Sequence, residues 1–146
     1  MKICLACSHG GHLTELLELA EAFKGHRTFL VTYVCRRTKE MRADYTMPDI
    51  GYNPLRMLWA FLKVFWIFCK ERPDAIVSIG AEIAIPTFYL GKLFGARTIF
   101  IESVCRINSA SLAGKIVYPI SDKFFVQWKQ TLAHYGEKAR YFGGLL

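Results

Sequence analysis

Apolar residues fall in short blocks along the chain, and the spacing inside each block sorts it into strand or helix. Ile3–Cys7 is a short apolar run with the length of a buried strand. Leu13, Leu16, Leu17, Ala20 and Phe23 then recur at three- and four-residue intervals, with Glu15, Glu18 and Glu21 between them. That is the stripe of an amphipathic helix, and Gly25 suits its end. Thr28–Cys35 is β-branched and apolar, a second strand. Strand, glycine loop, helix and strand in this order form a βαβ unit, which favours a parallel sheet with a right-handed crossover.

The pattern then changes. Arg36 to Pro54 is polar, with Pro48 and Gly51 inside it, and reads as a loop holding one short edge strand near Tyr45–Met47. Leu55–Cys69 predicts a helix. Asp74–Ile79 is a strand following the Pro73 stop, and Gly80–Pro86 opens a second loop-to-helix junction. Its helix runs to about Phe94, with Gly95 as the end signal. Arg97–Ile101 is a strand, Ser109–Tyr118 a helix, Asp122–Val126 a strand, Thr131–Tyr135 a short helix and Ala139–Phe142 a last strand. The alternation predicts one α/β domain over residues 1–146: a Rossmann-like, doubly wound parallel sheet with helices on both faces. No internal repeat or linker interrupts it.

Composition narrows the partners. Apolar residues make up 53% of the chain, and the mean hydropathy of +0.22 is oily for a soluble domain, so some apolar surface is expected to face a membrane or a partner. Lys and Arg exceed Asp and Glu by 19 to 12, a net charge of +7, which suggests an anionic partner. There is no long basic tail and no aromatic-basic reading motif, so nucleic acid is not the expected anion. The five cysteines are odd in number and scattered, giving no disulfide framework. Cys4 and Cys7 lie in the strand-like run ICLAC, where they act as small hydrophobes, and no second ligand pair accompanies them to make a zinc site. No metal and no cofactor is expected. No signal-peptide pattern opens the chain, and a reducing compartment is the simplest setting.

Candidate chemistry sits in the loops. Ser8-His9-Gly10-Gly11-His12 joins the first strand to the first helix. Paired glycines let backbone approach a ligand, and the helix N-terminus presents free N–H groups and positive dipole to an anion. The same loop also serves as an ordinary tight turn. It matches neither G-x-G-x-x-G nor the P-loop pattern, so dinucleotide or NTP binding is not implied. A dipole N-terminus favours neutral imidazole, making His12 a candidate base or ligand donor. Gly80, Ala81 and Glu82 repeat the strand-to-loop logic, with Pro86 early in the next helix. Glu102 and Ser103 close the strand IFIES, where a carboxylate points into the carboxyl-end crevice as base, hydroxyl ligand or helix cap.

SHGGH, SIGAEIAIP and IFIESVCRINSASLAGKIVYPISDKFFVQW, in this order and spacing, resemble the N-terminal half of the family 28, GT-B glycosyltransferases. The chain is most similar to the acceptor-side, membrane-anchoring subunits of two-part transferases that build dolichol-linked oligosaccharides, and equally to bacterial exopolysaccharide relatives. The resemblance implies an enzyme subunit that transfers N-acetylglucosamine or glucuronic acid from a UDP-sugar to a lipid-diphosphate-linked sugar acceptor. It implies that Ser8, His9, Gly10, Gly11 and His12 face the acceptor diphosphate, and that Gly80, Ala81, Glu82, Pro86, Glu102 and Ser103 line the acceptor cleft. His12 is then the first candidate base and Glu102 the second. The UDP-sugar would come mainly through a separate donor-binding subunit. Two departures stand out: Ser8-His9 replaces the Gly-Thr or Gly-Ser of the fused enzymes, and Ala81 stands where those enzymes often have glycine. The N-terminal membrane segment usual in eukaryotic members is missing from this sequence, which points to a prokaryotic source. A non-catalytic membrane scaffold, and an unrelated small nucleotide-binding α/β protein, are the alternative readings.

The Leu55–Cys69 helix fits that resemblance. Its fifteen residues span about 22 Å, short of the roughly 30 Å hydrocarbon core. Arg56, Lys63 and Lys70 recur every seven residues beside Trp59 and Trp66, the pattern of an interfacial helix on an anionic membrane surface. Peripheral or monotopic attachment at the cytoplasmic face is the expectation; a buried core helix is the alternative.

Overall fold

The computed structural model describes residues 1–145; Leu146, the last residue of the expected domain, lies outside the described residues. The described residues form one seven-stranded sheet. Its strands are β1 (Lys2–Cys7), β2 (Arg27–Tyr33), β3 (Tyr45–Met47), β4 (Ala75–Ile79), β5 (Arg97–Ile101), β6 (Lys123–Val126) and β7 (Ala139–Tyr141). They lie in the order β3-β2-β1-β4-β5-β6-β7, and every neighbouring pair is parallel. The helices are α1 (Gly11–Glu18), α2 (Arg36–Glu40), α3 (Pro54–Glu71), α4 (Ala84–Leu93) and α5 (Leu112–Val117). This is the Rossmann-like α/β architecture expected from the alternation.

The two faces of the sheet are covered unequally. On one face, Ala60, Val64, Ile67 and Phe68 of α3 and Ile85 and Phe88 of α4 pack with Cys4, Phe29, Val31, Ile76 and Phe100 in the main core. On the other, Leu13 and Leu16 of α1 pack on Ile3, Cys7, Leu30, Val77 and Ile79. Central strands buried on both sides read as continuous apolar runs, which is why ICLAC and AIVSI do not alternate. Cys4 and Cys7 are fully buried in these cores, and burial pushes the Cys7 thiol up to about 12, as suits a packing residue.

Local chemistry sets most boundaries. Asn53 Oδ1 accepts the Leu55 and Arg56 N–H groups at 3.0 and 3.2 Å, and Pro54 occupies the first position of α3. Arg72, in the left-handed region at φ +47°, ends that helix. Two expectations shift. The polar stretch after Cys35 holds the short helix α2, because Cys35 and Thr38 cap each other reciprocally: Thr38 N–H donates to Cys35 Sγ and Cys35 N–H to Thr38 Oγ1. The helix expected from Ser109 begins at Leu112, because Ser111 Oγ caps the Gly114 N–H at 2.9 Å; Glu102 to Ser111 therefore remains a long loop.

Candidate functional site

β1 and β4 are neighbours in the sheet, yet the chain leaves β1 toward β2 and leaves β4 toward β5, in opposite directions. The crossovers carry α1 and α4 on opposite faces. A crevice opens where they part, at the carboxyl ends of the strands. It has a volume of about 270 Å³. Three loops form it: Ser8, His9 and His12 after β1, Gly80, Ala81 and Glu82 after β4, and Glu102, Ser103, Arg106 and Ser111 after β5. The volume falls just under the ~300–1,000 Å³ of enclosed small-molecule sites, which suits one wall of a larger cleft.

His12 stands at the centre. Its Nδ1 lies 2.7 Å from Ser8 Oγ, and Ser8 Oγ donates to the His9 carbonyl at 3.3 Å. With Nδ1 turned to Ser8, Nε2 is the ring nitrogen left for a ligand, and the tautomer in which Nδ1–H donates to Ser8 gives it a lone pair. Nε2 faces Gly80, where a Cβ would stand only 2.7 Å from it; Gly80 also sits at φ +57°. Burial holds the imidazole below its ordinary pKa, against the carboxylates of Glu15, Glu82 and Glu102, while Arg106 acts with burial. Burial thus favours the neutral ring, and its Nε2 is turned toward the Gly80 side of the crevice.

Glu102 has different surroundings. It is fully buried, and its carboxylate accepts the Ser103 N–H, the Ser111 N–H, the Ser111 hydroxyl and the Tyr135 hydroxyl. Burial, with Glu102 beside it, pushes the Tyr135 phenol far up, so the tyrosine remains a donor. Four donors occupy this carboxylate, which fits a pillar of the loop better than a base that must turn to a substrate hydroxyl. Glu82 is partly buried and accepts from the Tyr33 hydroxyl at 3.0 Å.

Anion-binding features converge on the rim. Gly10, at φ +75° and ψ −133°, precedes α1, and no side chain caps that helix. Gly10 and Gly11 are exposed, and a Cβ at either would meet nothing within 4 Å, so their backbone is open to a ligand. Arg106 approaches from the β5–α5 loop. Arg37 lies behind, donating to Thr14 Oγ1 at 2.8 Å. Ala81 takes a left-handed conformation at φ +62°, which explains in this chain why glycine is the comfortable residue at that position. Pro86 departs from expectation: it is buried in the first turn of α4 and lies outside the crevice lining.

The crevice also takes residues that local pattern did not single out. Tyr33 comes from the end of β2, and Asp49 and Tyr52 from the β3–α3 loop. Tyr33 obeys the same carboxyl-end rule that pointed to Glu102 and was within reach of it. Asp49, Tyr52 and Arg106 lie in loops with no sequence signal of their own.

Beside the crevice, α3 turns a second face outward. Leu55, Leu58, Leu62 and Trp66 are 79%, 59%, 64% and 58% exposed, with Trp59 and Phe65 between them. Leu93 of α4 is exposed as well. Arg56, Lys63 and Lys70 flank the β3 side of this α3 face: Arg56 donates to the Asp49 carbonyl, Lys63 Nζ to the Thr46 carbonyl at 2.6 Å, and Lys70 Nζ lies 5.7 Å from the Trp66 ring centre. Of these, Lys63 is half-buried and committed to the sheet edge. Among the described residues no helix is long and apolar enough to cross a membrane.

Residues 50–145 match the family model described as "Oligosaccharide biosynthesis protein Alg14 like". The chain is 40% identical over 114 residues to the UDP-N-acetylglucosamine transferase subunit alg14 of Schizosaccharomyces pombe, covering 72% of this chain and 53% of that protein. It is 36% identical over 95 residues to the corresponding subunit of Candida albicans, covering 61% of this chain and 43% of that protein. The chain thus spans about half the length of these curated relatives. The crystal structure of Acinetobacter baumannii MurG superposes with a TM-score of 0.79 at 16% identity, covering 99% of this chain and 46% of that one. At that identity the likeness is one of fold: this domain corresponds to half of a GT-B chain.

Proposed function

The chain belongs to the Alg14-like family of oligosaccharide biosynthesis proteins, and on that premise we propose that it is the acceptor-side subunit of a UDP-sugar-dependent glycosyltransferase acting on a lipid-diphosphate-linked sugar. The donor sugar is N-acetylglucosamine, as in the names of its relatives, or glucuronic acid. The observation that carries this reading is the crevice itself, where a histidine whose neutral form burial favours, its Nδ1 turned to Ser8, stands beside an uncapped helix N-terminus and Arg106.

The acceptor diphosphate lies over the Gly10–Gly11 backbone, with Ser8, His9 and Arg106 around it, while its sugar enters the crevice between His12 and the Gly80–Glu82 and Ser103 loops. A donor-binding partner brings the UDP-sugar across the cleft. The acceptor hydroxyl oxygen attacks the anomeric carbon and gives its proton to His12 Nε2; the bond from that carbon to UDP breaks, and UDP leaves with the electron pair, inverting the centre. Glu102 holds the loop in place. Lipid carriage explains the exposed stripe of α3, which seats the protein on the anionic cytoplasmic face of a membrane.

The test is a transfer assay on the chain reconstituted with its donor-binding subunit. His12→Gln is expected to lower turnover by roughly 10²–10⁴-fold with the complex intact by gel filtration. Burial keeps the base form available as pH falls, so the acid limb of the wild-type rate profile should lie below the ordinary histidine value of ~6.5. Near-normal turnover of His12→Gln would leave the chain a scaffold without chemistry of its own.

A further inference from the structure

Glu15 lies three residues after His12 on α1, is only 2% exposed, and has no part in the chemistry above. A carboxylate is not buried without partners, because desolvation costs several kcal/mol. Its partners here belong to other elements. Oε1 accepts the Ser103 hydroxyl at 3.0 Å, and Oε2 accepts the Val104 N–H at 3.1 Å and Gln127 Nε2 at 2.6 Å. Gln127 is itself fully used: Nε2 also donates to the Glu102 carbonyl at 3.0 Å, and Oε1 accepts the Leu145 N–H at 2.9 Å. One buried side chain thus ties the helix that carries His12 to the loop that carries Arg106, and through Gln127 to the last strands.

We infer that Glu15 is a positioning residue for the transfer: it fixes the β5–α5 loop against α1, so that His12 and Arg106 meet the acceptor in one geometry. The inference rests on the transferase reading. Other contacts hold the far part of the same loop, Trp128 Nε1 on the Val104 carbonyl at 2.6 Å and Thr131 Oγ1 on the Arg106 carbonyl at 2.7 Å. Among the described residues, the hydrogen bonds that join it to the helix of the base are those of Glu15. Charged groups face His12 from three elements: Glu15 on α1, Glu82 after β4, and Glu102 and Arg106 at and after β5. Removing the Glu15 charge therefore acts on the imidazole as well as on the loop.

Glu15→Ala and Glu15→Gln separate these effects. In the isolated chain, hydrogen exchange of the Ser103–Ser111 amides and an NMR titration of His12 are followed; in the complex, transfer is measured against pH. Glu15→Ala is expected to speed loop exchange at least ~10-fold and to cut kcat by about 10²-fold, the scale of an ångström-sized misplacement. Glu15→Gln, which keeps an oxygen for Val104 and Gln127, is expected to restore the rate to within roughly tenfold while moving the His12 titration to lower pH. Should Glu15→Ala not fold, Glu15→Asp, which draws the carboxylate back from Ser103 and Val104, decides: slower transfer together with faster exchange of the Ser103–Ser111 amides upholds the role, and wild-type transfer with wild-type exchange overturns it. Equal transfer by wild type and Glu15→Ala also overturns it, whereas a wild-type complex with no transfer sinks the transferase reading instead.

Discussion

Gly80 and Ala81 sit side by side in the left-handed region, at φ +57° and +62°, and substitution tests a different thing at each. At Gly80 a new Cβ would press on His12 Nε2, so the cost falls on the base. Gly80→Ala is expected to lower transfer at least ~10-fold, the effect of a displaced reacting group, while the donor-binding partner still binds. Ala81→Gly should do the reverse. It relieves roughly 1–2 kcal/mol of left-handed strain and returns part of it as chain entropy in the unfolded state. A melting temperature raised by about 2–3 °C, read by calorimetry with activity kept, is the expected outcome; a lowered one would remove strain as the reason for glycine at this position. Glu102 shows the limit of reading residues singly. Its place at a strand end suggested a base, but that place says nothing of Ser111 and Tyr135, which lie 9 and 33 residues further on and occupy its oxygens.

At the scale of the element, α3 is amphipathic toward the sheet and apolar again on the far side. The inner face, Ala60, Val64, Ile67 and Phe68, suffices to hold it. The outer leucines stand largely in water, while Trp66 is 58% exposed and also meets the Tyr45 ring edge-on at 6.3 Å; each contributes about 1.5 kcal/mol or more when moved into lipid. Replacing Leu58, Leu62 and Trp66 by serine should therefore abolish co-sedimentation with anionic vesicles and leave the circular dichroism spectrum unchanged. Undiminished co-sedimentation of the folded triple variant would rule out this face as the seat. Lys63 is a poor probe by comparison, because its bond to Thr46 makes Lys63→Glu a change at the sheet edge as well. The seven-residue spacing of Arg56, Lys63 and Lys70 placed them on one flank correctly, but only packing separates the exposed pair from the half-buried one.

For the whole molecule, the domain corresponds to half of a GT-B fold, and its crevice is one wall. If that wall binds the acceptor, as proposed, it should not turn over by itself. The isolated chain is expected to show no transfer and no calorimetric binding of a UDP-sugar at micromolar concentration, and to gain transfer on titration with a donor-binding subunit, saturating at a fixed ratio. Micromolar binding of UDP-sugar by the chain alone would favour a nucleotide-binding protein of another kind. The net charge of +7 acts at this scale too, favouring anionic partners without specifying any one of them.

What the sequence by itself determined is what local spacing encodes. Apolar runs and stripes located the strands and the main helices to within a few residues, because backbone period and burial are written in neighbours two to four positions apart. Strand–helix alternation then left the parallel, doubly wound sheet as the consistent arrangement, and glycine loops at strand ends marked the edge where a ligand binds. The tertiary structure alone decided the company each loop residue keeps. Parallel pairing brings the ends of β1, β4 and β5 together from positions 72 and 94 residues apart, and no local signal reports that Arg106 shares a crevice with His12, that Asp49 and Tyr52 line it too, or that Pro86 is buried outside it. The opening loop lies on the rim of the crevice, with Ser8, His9 and His12 in its lining. Its histidine gains an Nε2 left for a ligand and a buried neighbour, Glu15, which the spacing of α1 had offered only as one more polar residue on a helix.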